Sequence, residues 1–350
     1  MPLKAIENNE VLIAPLLSQE RWERLRTDVR AKRVTLRMAC CDTEALVRES
    51  KLGTRHFYHK PGAECGAKGE TLEHLLIKEQ VALGACDAGC EVDTEVQGRG
   101  WRADVLATRD TTRVAFEVQW SAQTLEETSF RQDRYAEDYV QCAWLFRRMP
   151  KGAKTILELP MFQLGLSDPQ QPQAAGMSIR QFAAAMLSGL FKFCESASAL
   201  DRQAMKVQFF DYKCWKCHHE CHAYRVTNDQ CGLITQHGDA IAYIEEAFQE
   251  GAEYSPDALQ AVHNYLRSEA GRQLRLGAIK TRFSKTAGRS YMSQGCPNCD
   301  ALFGEFYLRH EPEGFAAEPI VDLNISVTLP HPVVRDQPHW CYSPTKEFCC

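Results

Sequence analysis

Residues 101–121 read WRADVLATRDTTRVAFEVQWS, and this stretch predicts the fold of the chain. From Arg113 to Ser121 apolar and polar residues alternate, as they do along a strand with one buried face. Glu117 falls on the polar face of that strand. The segment before it predicts a second strand that carries Asp104, joined through a turn at residues 109–112. Two carboxylates are therefore expected on adjacent strands.

Two carboxylates held close together repel each other unless a cation lies between them. Oxygen ligands of this kind select Mg²⁺ or Mn²⁺, which keep coordination positions for water and a substrate phosphate. Gln119 lies two residues beyond Glu117 and shares its face. In the simpler interpretation, the acidic residues only solvate an exposed strand face.

Regular elements flank the two strands. Residues 69–83 predict an amphipathic helix whose polar side carries Glu70, Glu73, His74 and Lys78. A second helix is expected at 122–139, followed by a strand at 141–146. The predicted order is αβββαβ, an α/β fold.

With these elements the chain resembles the CoiA-like competence family within the PD-(D/E)xK nuclease superfamily. The resemblance covers roughly residues 36 to 148 and implies a restriction-endonuclease-like core. The motifs that carry it are His56-Phe57-x-His59, Glu73-His74-x3-Lys78, Ala103-Asp104-Val105, Phe116-Glu117-Val118-Gln119-x-Ser121 and Arg131-x3-Tyr135.

The resemblance implies metal-dependent cleavage of a nucleic-acid phosphodiester. Asp104 and Glu117 would bind Mg²⁺ (or Mn²⁺), and Glu73 would complete the ligand shell or orient the attacking water. Arg131 and Tyr135, one helical turn apart, would grip the phosphate. The expected catalytic set is Glu73, His74, Lys78, Asp104, Glu117, Gln119, Arg131 and Tyr135.

This sequence departs from the superfamily pattern at two positions. Gln119 stands where the superfamily usually has a lysine, and Ala103 stands where proline precedes the aspartate. An amide can neither act as a base nor neutralise developing charge. Either Lys78 supplies the missing charge from the helix, or catalysis depends on the metal alone.

Composition limits the class of protein. The 350 residues allow more than one domain, and a net charge of −5 restricts any DNA-binding surface to a local patch. Sixteen cysteines in a chain whose first 19 residues show no secretory signal indicate metal binding, not a disulfide scaffold. No apolar stretch approaches the ~20 residues that cross a bilayer, so we expect a cytoplasmic protein without membrane association.

Two CxxC knuckles predict a structural zinc site with four cysteine ligands, Cys214, Cys217, Cys296 and Cys299. Their wide separation predicts a zinc ribbon that is split by a helical insertion at about 232–295, with helices near 239–249 and 255–276. Strands are expected at 222–226 and 301–310. Four further candidates close to the first knuckle leave ligand swapping open: His218, His219, Cys221 and Cys231.

A second zinc site is a candidate before the nuclease helix. Cys40, Cys41, His56, His59 and Cys65 cluster there, and Cys41, His59 and Cys65 are the better ligands because a hairpin strand ending at His59 separates them. The resemblance supports this site in part, since related chains tend to carry a small Cys/His motif at this place. An ordinary core or surface histidine is the simpler interpretation.

The sequence predicts five parts. They are an N-terminal αβ lead-in at 1–67 with a helix at Gln19–Arg30, the nuclease core at 68–150, a linker and apolar helix (179–200) at 151–205, the split zinc ribbon at 206–310, and a C-terminal tail at 311–350.

A cluster of basic residues lies in the insertion and is interleaved with aromatic residues. Such a cluster either binds DNA phosphates or forms a solvated face, and both interpretations stay open. The candidate DNA-binding residues are Arg272, Arg275, Lys280, Arg282 and Lys285.

The leading hypothesis is a metal-dependent deoxyribonuclease acting in recombination, DNA uptake or defence against foreign DNA, with possible protein partners in those processes. The alternative is a zinc-ribbon adaptor that binds DNA through a nuclease fold without activity, which Gln119 favours. A zinc-dependent hydrolase of another substrate is weaker, because a site with four cysteine ligands leaves no open coordination position. The oligomeric state stays open.

Overall fold

A computed structural model describes residues 2–60, 65, 70–248, 250–304, 308 and 318–349. The chain divides into two compact units, Met1–Phe193 with Pro338–Phe348 and Cys194–Gln337 with Cys349–Cys350. The five-part division expected from sequence stays a prediction, and its boundary between residues 67 and 68 lies outside the described residues.

The first half of the chain forms four helices and twelve of the strands in its described part. The helices are α1 Gln19–Arg30, α2 Leu72–Asp87, α3 Leu125–Glu137 and α4 Ile179–Leu187. The strands are β1 Lys4–Glu7, β2 Glu10–Ile13, β3 Leu36–Met38, β4 Glu44–Glu49, β5 Arg55–His59, β6 Glu91–Gln97, β7 Arg102–Arg109, β8 Thr112–Gln119, β9 Gln141–Phe146, β10 Met161–Gly165, β11 Gln173–Ala174 and β12 Met177–Ser178.

A mixed sheet in the order β12-β11-β10-β9-β8-β7-β6 forms the centre of the first unit. Strands β6, β7 and β8 run antiparallel, and β9 lies parallel to β8. Because α2 precedes β6 and α3 connects β8 to β9, the order α2-β6-β7-β8-α3-β9 is the predicted αβββαβ core. The predicted fold class is confirmed.

Both faces of this sheet are buried. Ile77 of α2 and Phe182 of α4 pack with Phe116 on one face. Tyr135 of α3 packs with Trp144 on the other face. The polar face of β8 that the alternation predicted therefore lies under α3, which buries the carboxylate it carries.

A second sheet, in the order β2-β1-β3-β4-β5, precedes the nuclease core. Trp22 and Leu25 of α1 pack against Phe57 of β5. The predicted helix Gln19–Arg30 is confirmed with both of its ends, and Ser18 caps its N-terminal end by accepting the N–H of Arg21.

The remaining elements follow in chain order. They are β13 Phe191–Ser198, β14 Arg202–Lys213, β15 Glu220–Thr227, β16 Gly232–Ile234, β17 Ala240–Tyr243, α5 Pro256–Arg267, β18 Lys280–Ser284, β19 Arg289–Ser293, β20 Val321–Thr328 and β21 Val334–Tyr342. In the second unit β15, β14 and β20 form a three-stranded sheet, and β16–β17 and β18–β19 form hairpins.

Several predicted elements differ from the observed ones. The apolar helix expected at 179–200 ends at Leu187, because Gly189 takes a positive φ of 67°, and β13 follows it. The helix expected at 239–249 is β17 with a 3-10 turn, and its last residue, Gln249, lies outside the described residues. The helix expected at 255–276 ends at Arg267.

The expected C-terminal tail contains two strands, β20 and β21. Residues 311–317 of that tail lie outside the described residues, as does half of the strand expected at 301–310. None of the helices in the described part of the chain is long and apolar enough to cross a lipid bilayer.

Candidate functional site

A cavity of about 520 Å³ opens at the sheet edge where β7 begins and β8 ends. Asp104 of β7 and Glu117 of β8 line it. Helix α2 and the residue before its N-cap add His74 and Glu70, and α3 adds Arg131. The structure therefore brings most of the predicted catalytic residues to one cavity in the first unit.

Asp104 is held in place by both of its carboxylate oxygens. Oδ2 accepts the backbone N–H of Val118 at 2.9 Å and lies 3.5 Å from Nε2 of His74. Oδ1 lies 3.6 Å from Nζ of Lys78. Burial raises the pKa of Asp104, but the charge of Lys78 and the contact with His74 outweigh it and hold that pKa well below its ordinary value. Asp104 is thus ionised and can bind a metal cation.

Lys78 is fully buried and bridges three carboxylates. Its Nζ donates to Glu70 and Glu95, each at 2.9 Å, in addition to the contact with Asp104. Burial lowers the pKa of Lys78, but the three negative charges outweigh it, so the pKa is raised and the ammonium is a fixed positive charge. Glu95 adopts a positive φ of 57°, which is uncommon for a residue other than glycine.

Glu70, His74 and Asp104 form the ligand group. One donor atom from each lies within 4.8 Å of the others. Oε2 of Glu70 is buried and has no hydrogen-bond partner among the described residues. A buried carboxylate oxygen without a donor is costly, and a divalent cation would satisfy it. The residues present fit a metal ion.

Glu117 lies in the same cavity but outside that group. Its carboxylate pairs with Nη2 of Arg131 at 2.8 Å and accepts the hydroxyl of Tyr135. Burial and the nearby charge of Asp104 raise the pKa of Glu117 to about 7. Its role as a metal ligand stays a prediction.

The structure places the remaining predicted residues around this arrangement. Gln119 lines the cavity, where Oε1 accepts Nη1 of Arg131 at 3.3 Å and Nε2 donates to the carbonyl of Ser121 at 3.0 Å. Glu73 lies on α2 but, unlike Glu70, is not among the described residues that line the cavity. Tyr135 is buried behind Glu117.

Cys40, Cys41, His59 and Cys65 form a second ligand group beside the cavity. Sγ of Cys40 lies 3.7 Å from Nε2 of His59 and 3.8 Å from Sγ of Cys65, and Sγ of Cys41 lies 3.2 Å from the same nitrogen. Ligands at the bond lengths of tetrahedral zinc stand about 3.4 to 3.8 Å apart. Cys40 adds the fourth ligand to the predicted three, whereas His56 is buried elsewhere, with Nδ1 near the carbonyl of Thr54.

Cys40 and His59 also line the cavity. The N-terminal Cys/His group therefore shares a wall with the ligand group of Glu70, His74 and Asp104 within one unit.

The two predicted knuckles meet in the second unit. Sγ of Cys214 lies 3.6 Å from Sγ of Cys299, and Sγ of Cys217 lies 3.6 Å from Sγ of Cys296. All four sulfur atoms lie within 4.8 Å of one another, which fits a tetrahedral zinc site. Cys221 directs its thiol to the carbonyl of Tyr212 and lies outside the group.

The two knuckles have matching backbones. In each, the N–H of the first cysteine donates to a carbonyl five residues later, His219 in one and Ala301 in the other. His218 and Asp300 both take a positive φ near the end of the turn, 58° and 57°. Because the same backbone turn occurs in both knuckles, the CxxC spacing predicts that the two cysteines of each knuckle lie close together.

The predicted DNA-binding residues fall into two groups. Arg282 is buried, donates to the carbonyls of Ala278 and Ser293 and pairs with Asp300 at 2.6 Å, so it is part of the packing. Lys280 pairs with the same aspartate at 2.7 Å. Lys280 is exposed but held in that ion pair, and the other exposed members are Arg272, Arg275 and Lys285.

Sequence reasoning did not assign Glu70 or Glu95 to the site, and it ranked Cys40 below Cys41, His59 and Cys65 as a ligand. Glu70 precedes His74 by four residues, a spacing that places both on one side of a helix start. Cys40 is adjacent to the predicted Cys41 in a turn whose direction the sequence does not show. No local pattern indicates Glu95, because its role depends on Lys78 of another element.

Residues 70–209 match the family model described as competence protein CoiA, nuclease-like domain. The match begins at the first member of the ligand group and ends inside β14. No curated protein matches the chain.

Proposed function

We propose that the chain is a metal-dependent nuclease that hydrolyses DNA phosphodiester bonds, and the proposal starts from the match of residues 70–209 to the nuclease-like domain of competence protein CoiA. The observation that carries the proposal is the convergence of Glu70, His74 and Asp104, with an unpartnered buried oxygen, in a cavity that also holds Arg131. We place its activity in recombination, DNA uptake or defence against foreign DNA.

Each residue of the cavity has a definite task in this proposal. Glu70, His74 and Asp104 would hold a divalent ion, Mg²⁺ or Mn²⁺, which when bound supplies Lewis-acid activation of the phosphate and of the attacking water. Lys78 keeps Asp104 ionised by its fixed charge 3.6 Å away. Because Lys78 is buried and is not among the described residues that line the cavity, its charge supports the ligand Asp104 and does not act on the phosphate.

Arg131 is the candidate phosphate-binding residue. Its guanidinium lines the cavity and is oriented by Glu117 at 2.8 Å and by Gln119 at 3.3 Å. A guanidinium can donate two parallel hydrogen bonds to a phosphate. Tyr135 acts through Glu117, to which its hydroxyl donates.

Two zinc ions would support this architecture. Cys214, Cys217, Cys296 and Cys299 offer four sulfur atoms with no open position, and Cys40, Cys41, His59 and Cys65 offer three sulfur atoms and one nitrogen. Both sets fit structural zinc. The hydrogen bond from the Thr43 hydroxyl lowers the pKa of Cys41 to about 6, which favours the thiolate that zinc binds.

The test is cleavage of labelled single- and double-stranded DNA in Mg²⁺, Mn²⁺ or EDTA. Asp104→Asn and Glu70→Gln should each lower the rate by several orders of magnitude, because a lost ligand removes the metal's contribution. Asp110→Asn is the matched control, since Asp110 is exposed on the β7–β8 turn and its positive φ of 54° suits asparagine.

Equal cleavage by wild type and Asp104→Asn at equal stability would show that the site assignment is wrong. A second outcome would favour the inactive DNA-binding adaptor, namely DNA binding without cleavage under any of the three conditions. Gln119 and the pairing of Glu117 with Arg131 are the observations that favour that alternative.

A further inference from the structure

The ligand group contains a nitrogen donor, and that donor bears on which ion binds. We propose that His74 is the residue that makes this site select Mn²⁺ over Mg²⁺. The inference rests on the proposed function, because it concerns the same ligand group, Glu70, His74 and Asp104.

The imidazole is held in place by its surroundings. Its backbone N–H donates to the hydroxyl of the N-cap residue Thr71 at 3.2 Å, which places His74 in the first turn of α2. Its ring lies parallel to that of Trp120, with an interplanar angle of 8° and centroids 6.4 Å apart. The guanidinium of Arg147 lies over the same indole at 4.9 Å from the ring centroid.

This arrangement directs Nε2 of His74 toward the carboxylates. Nε2 lies 3.5 Å from Oδ2 of Asp104, and the side chain of His74 is only 15% exposed. The protein therefore offers one nitrogen and two oxygen donors, and Glu70 carries the buried Oε2 that has no hydrogen-bond partner among the described residues.

The two candidate ions respond differently to a nitrogen donor. Mg²⁺ prefers oxygen ligands in near-ideal octahedral geometry and gives up its water reluctantly. Imidazole suits transition metals, and carboxylates and water suit Mn²⁺. A mixed set of one imidazole and two carboxylates therefore favours Mn²⁺, whereas a set of carboxylates alone would suit Mg²⁺.

The experiment exchanges the nitrogen for an oxygen and measures binding without DNA. The zinc-loaded full chain is titrated with Mn²⁺, and free Mn²⁺ is measured from its electron paramagnetic resonance signal. Mg²⁺ is then added as competitor. His74→Asp is the test variant, and His263→Asp on the exposed side of α5 is the matched control.

Wild type should release Mn²⁺ only at a large excess of Mg²⁺. His74→Asp should lower the ratio of Mg²⁺ to Mn²⁺ needed for half-release of Mn²⁺ by about tenfold or more. Tenfold is about the smallest loss of metal affinity that changes to groups supporting a metal site typically cause. The control should keep the wild-type ratio. Should His74→Asp fail to fold, His74→Gln offers an amide oxygen without a new charge and should shift the ratio in the same direction.

An unchanged ratio in the folded variant would overturn the inference. The proposed function fails separately, because it is read from DNA cleavage and the ion preference is read from binding. If wild type cleaves DNA but wild type and His74→Asp need the same ratio of Mg²⁺ to Mn²⁺, only the ion preference is contradicted. If the ratio shifts but DNA is not cleaved with any ion, only the proposed nuclease activity is contradicted.

Discussion

The four-cysteine site of the second unit and the cavity of the first unit both contain groups of potential metal ligands, but the ligands come from different kinds of structural element. Each half of the ribbon site comes from one tight turn, Cys214 with Cys217 and Cys296 with Cys299. The cavity takes Glu70 from the residue before a helix cap, His74 from the helix and Asp104 from a strand. A ligand set on tight turns can be read from spacing, and a set drawn from separate elements cannot.

The donor atoms differ as much as their origins. Four sulfur atoms at tetrahedral distances leave no position for a substrate, as in closed structural zinc sites. Two carboxylates and an imidazole at the edge of a 520 Å³ cavity leave coordination positions open. The comparison therefore predicts a role in stability for the cysteine site and a role in chemistry for the cavity.

The largest effect that sharpens this comparison is loss of zinc. Cys296→Ser and Cys40→Ser should each bind one zinc fewer than wild type by elemental analysis, because each removes one of four ligands. Hydrogen exchange should rise in the β14–β15 hairpin for Cys296→Ser and in β5 for Cys40→Ser, since such sites couple metal binding to folding. Cleavage by Cys40→Ser should fall about 10- to 100-fold, because Cys40 borders the cavity.

Cys231→Ser is the control for both variants. Cys231 is exposed, and its thiol lies near Asn228 and Thr227, outside the ligand groups of the described residues. It should keep the zinc content and exchange pattern of wild type. Loss of zinc from Cys231→Ser would mean that the first knuckle exchanges ligands.

The next effect tests whether Arg282 belongs to the ribbon's packing. Arg282→Gln leaves the carbonyls of Ala278 and Ser293 without their donor, at a cost of about 1–3 kcal/mol. Amide exchange in the β18–β19 hairpin should accelerate by about ten- to a hundredfold. A Cβ at Gly295 would lie 2.5 Å from this guanidinium, which shows how closely the loop surrounds it.

Lys285→Gln is the matched control on the same hairpin, because Lys285 is exposed. It should change exchange little, as surface substitutions do. Equal exchange in the two variants would return Arg282 to the list of phosphate-binding candidates.

The sequence predicted most where the physical signal is local. Alternation and a turn at residues 109–112 indicated the β7–β8 pair, which the structure forms. The partners of the Glu117 carboxylate were harder to predict. Strand periodicity placed Glu117 on a face, but it did not show that Arg131 and Tyr135 of α3 would engage its carboxylate.

The parts that the sequence did not predict depend on distant residues. Lys78 becomes the counter-ion of Glu95 and Glu70 only when a helix and a strand pack together. Likewise, β20 is a strand because it pairs with β14, more than a hundred residues earlier. Contacts of this kind leave no periodic trace in the chain.

The smallest effect concerns the exposed basic residues of the second unit. Arg272, Arg275 and Lys285 are exposed, whereas Lys280 is paired and Arg282 is buried, so the three exposed residues are the ones available to phosphates. Changing all three to glutamine should lower the slope of log binding constant against log salt by about 2, since each lost contact contributes about 0.7 to 0.9.

The measurement is a pair of salt titrations of DNA binding on an Asp104→Asn background, which prevents cutting. Arg30, Lys32 and Lys51, exposed residues of the first unit, provide a control triple that removes the same charge elsewhere. If both triples lower the slope equally, the effect is one of net charge alone. A slope lowered only by Arg272, Arg275 and Lys285 would assign these residues to DNA, at equal cost for every sequence tested, because phosphate contacts carry no base information.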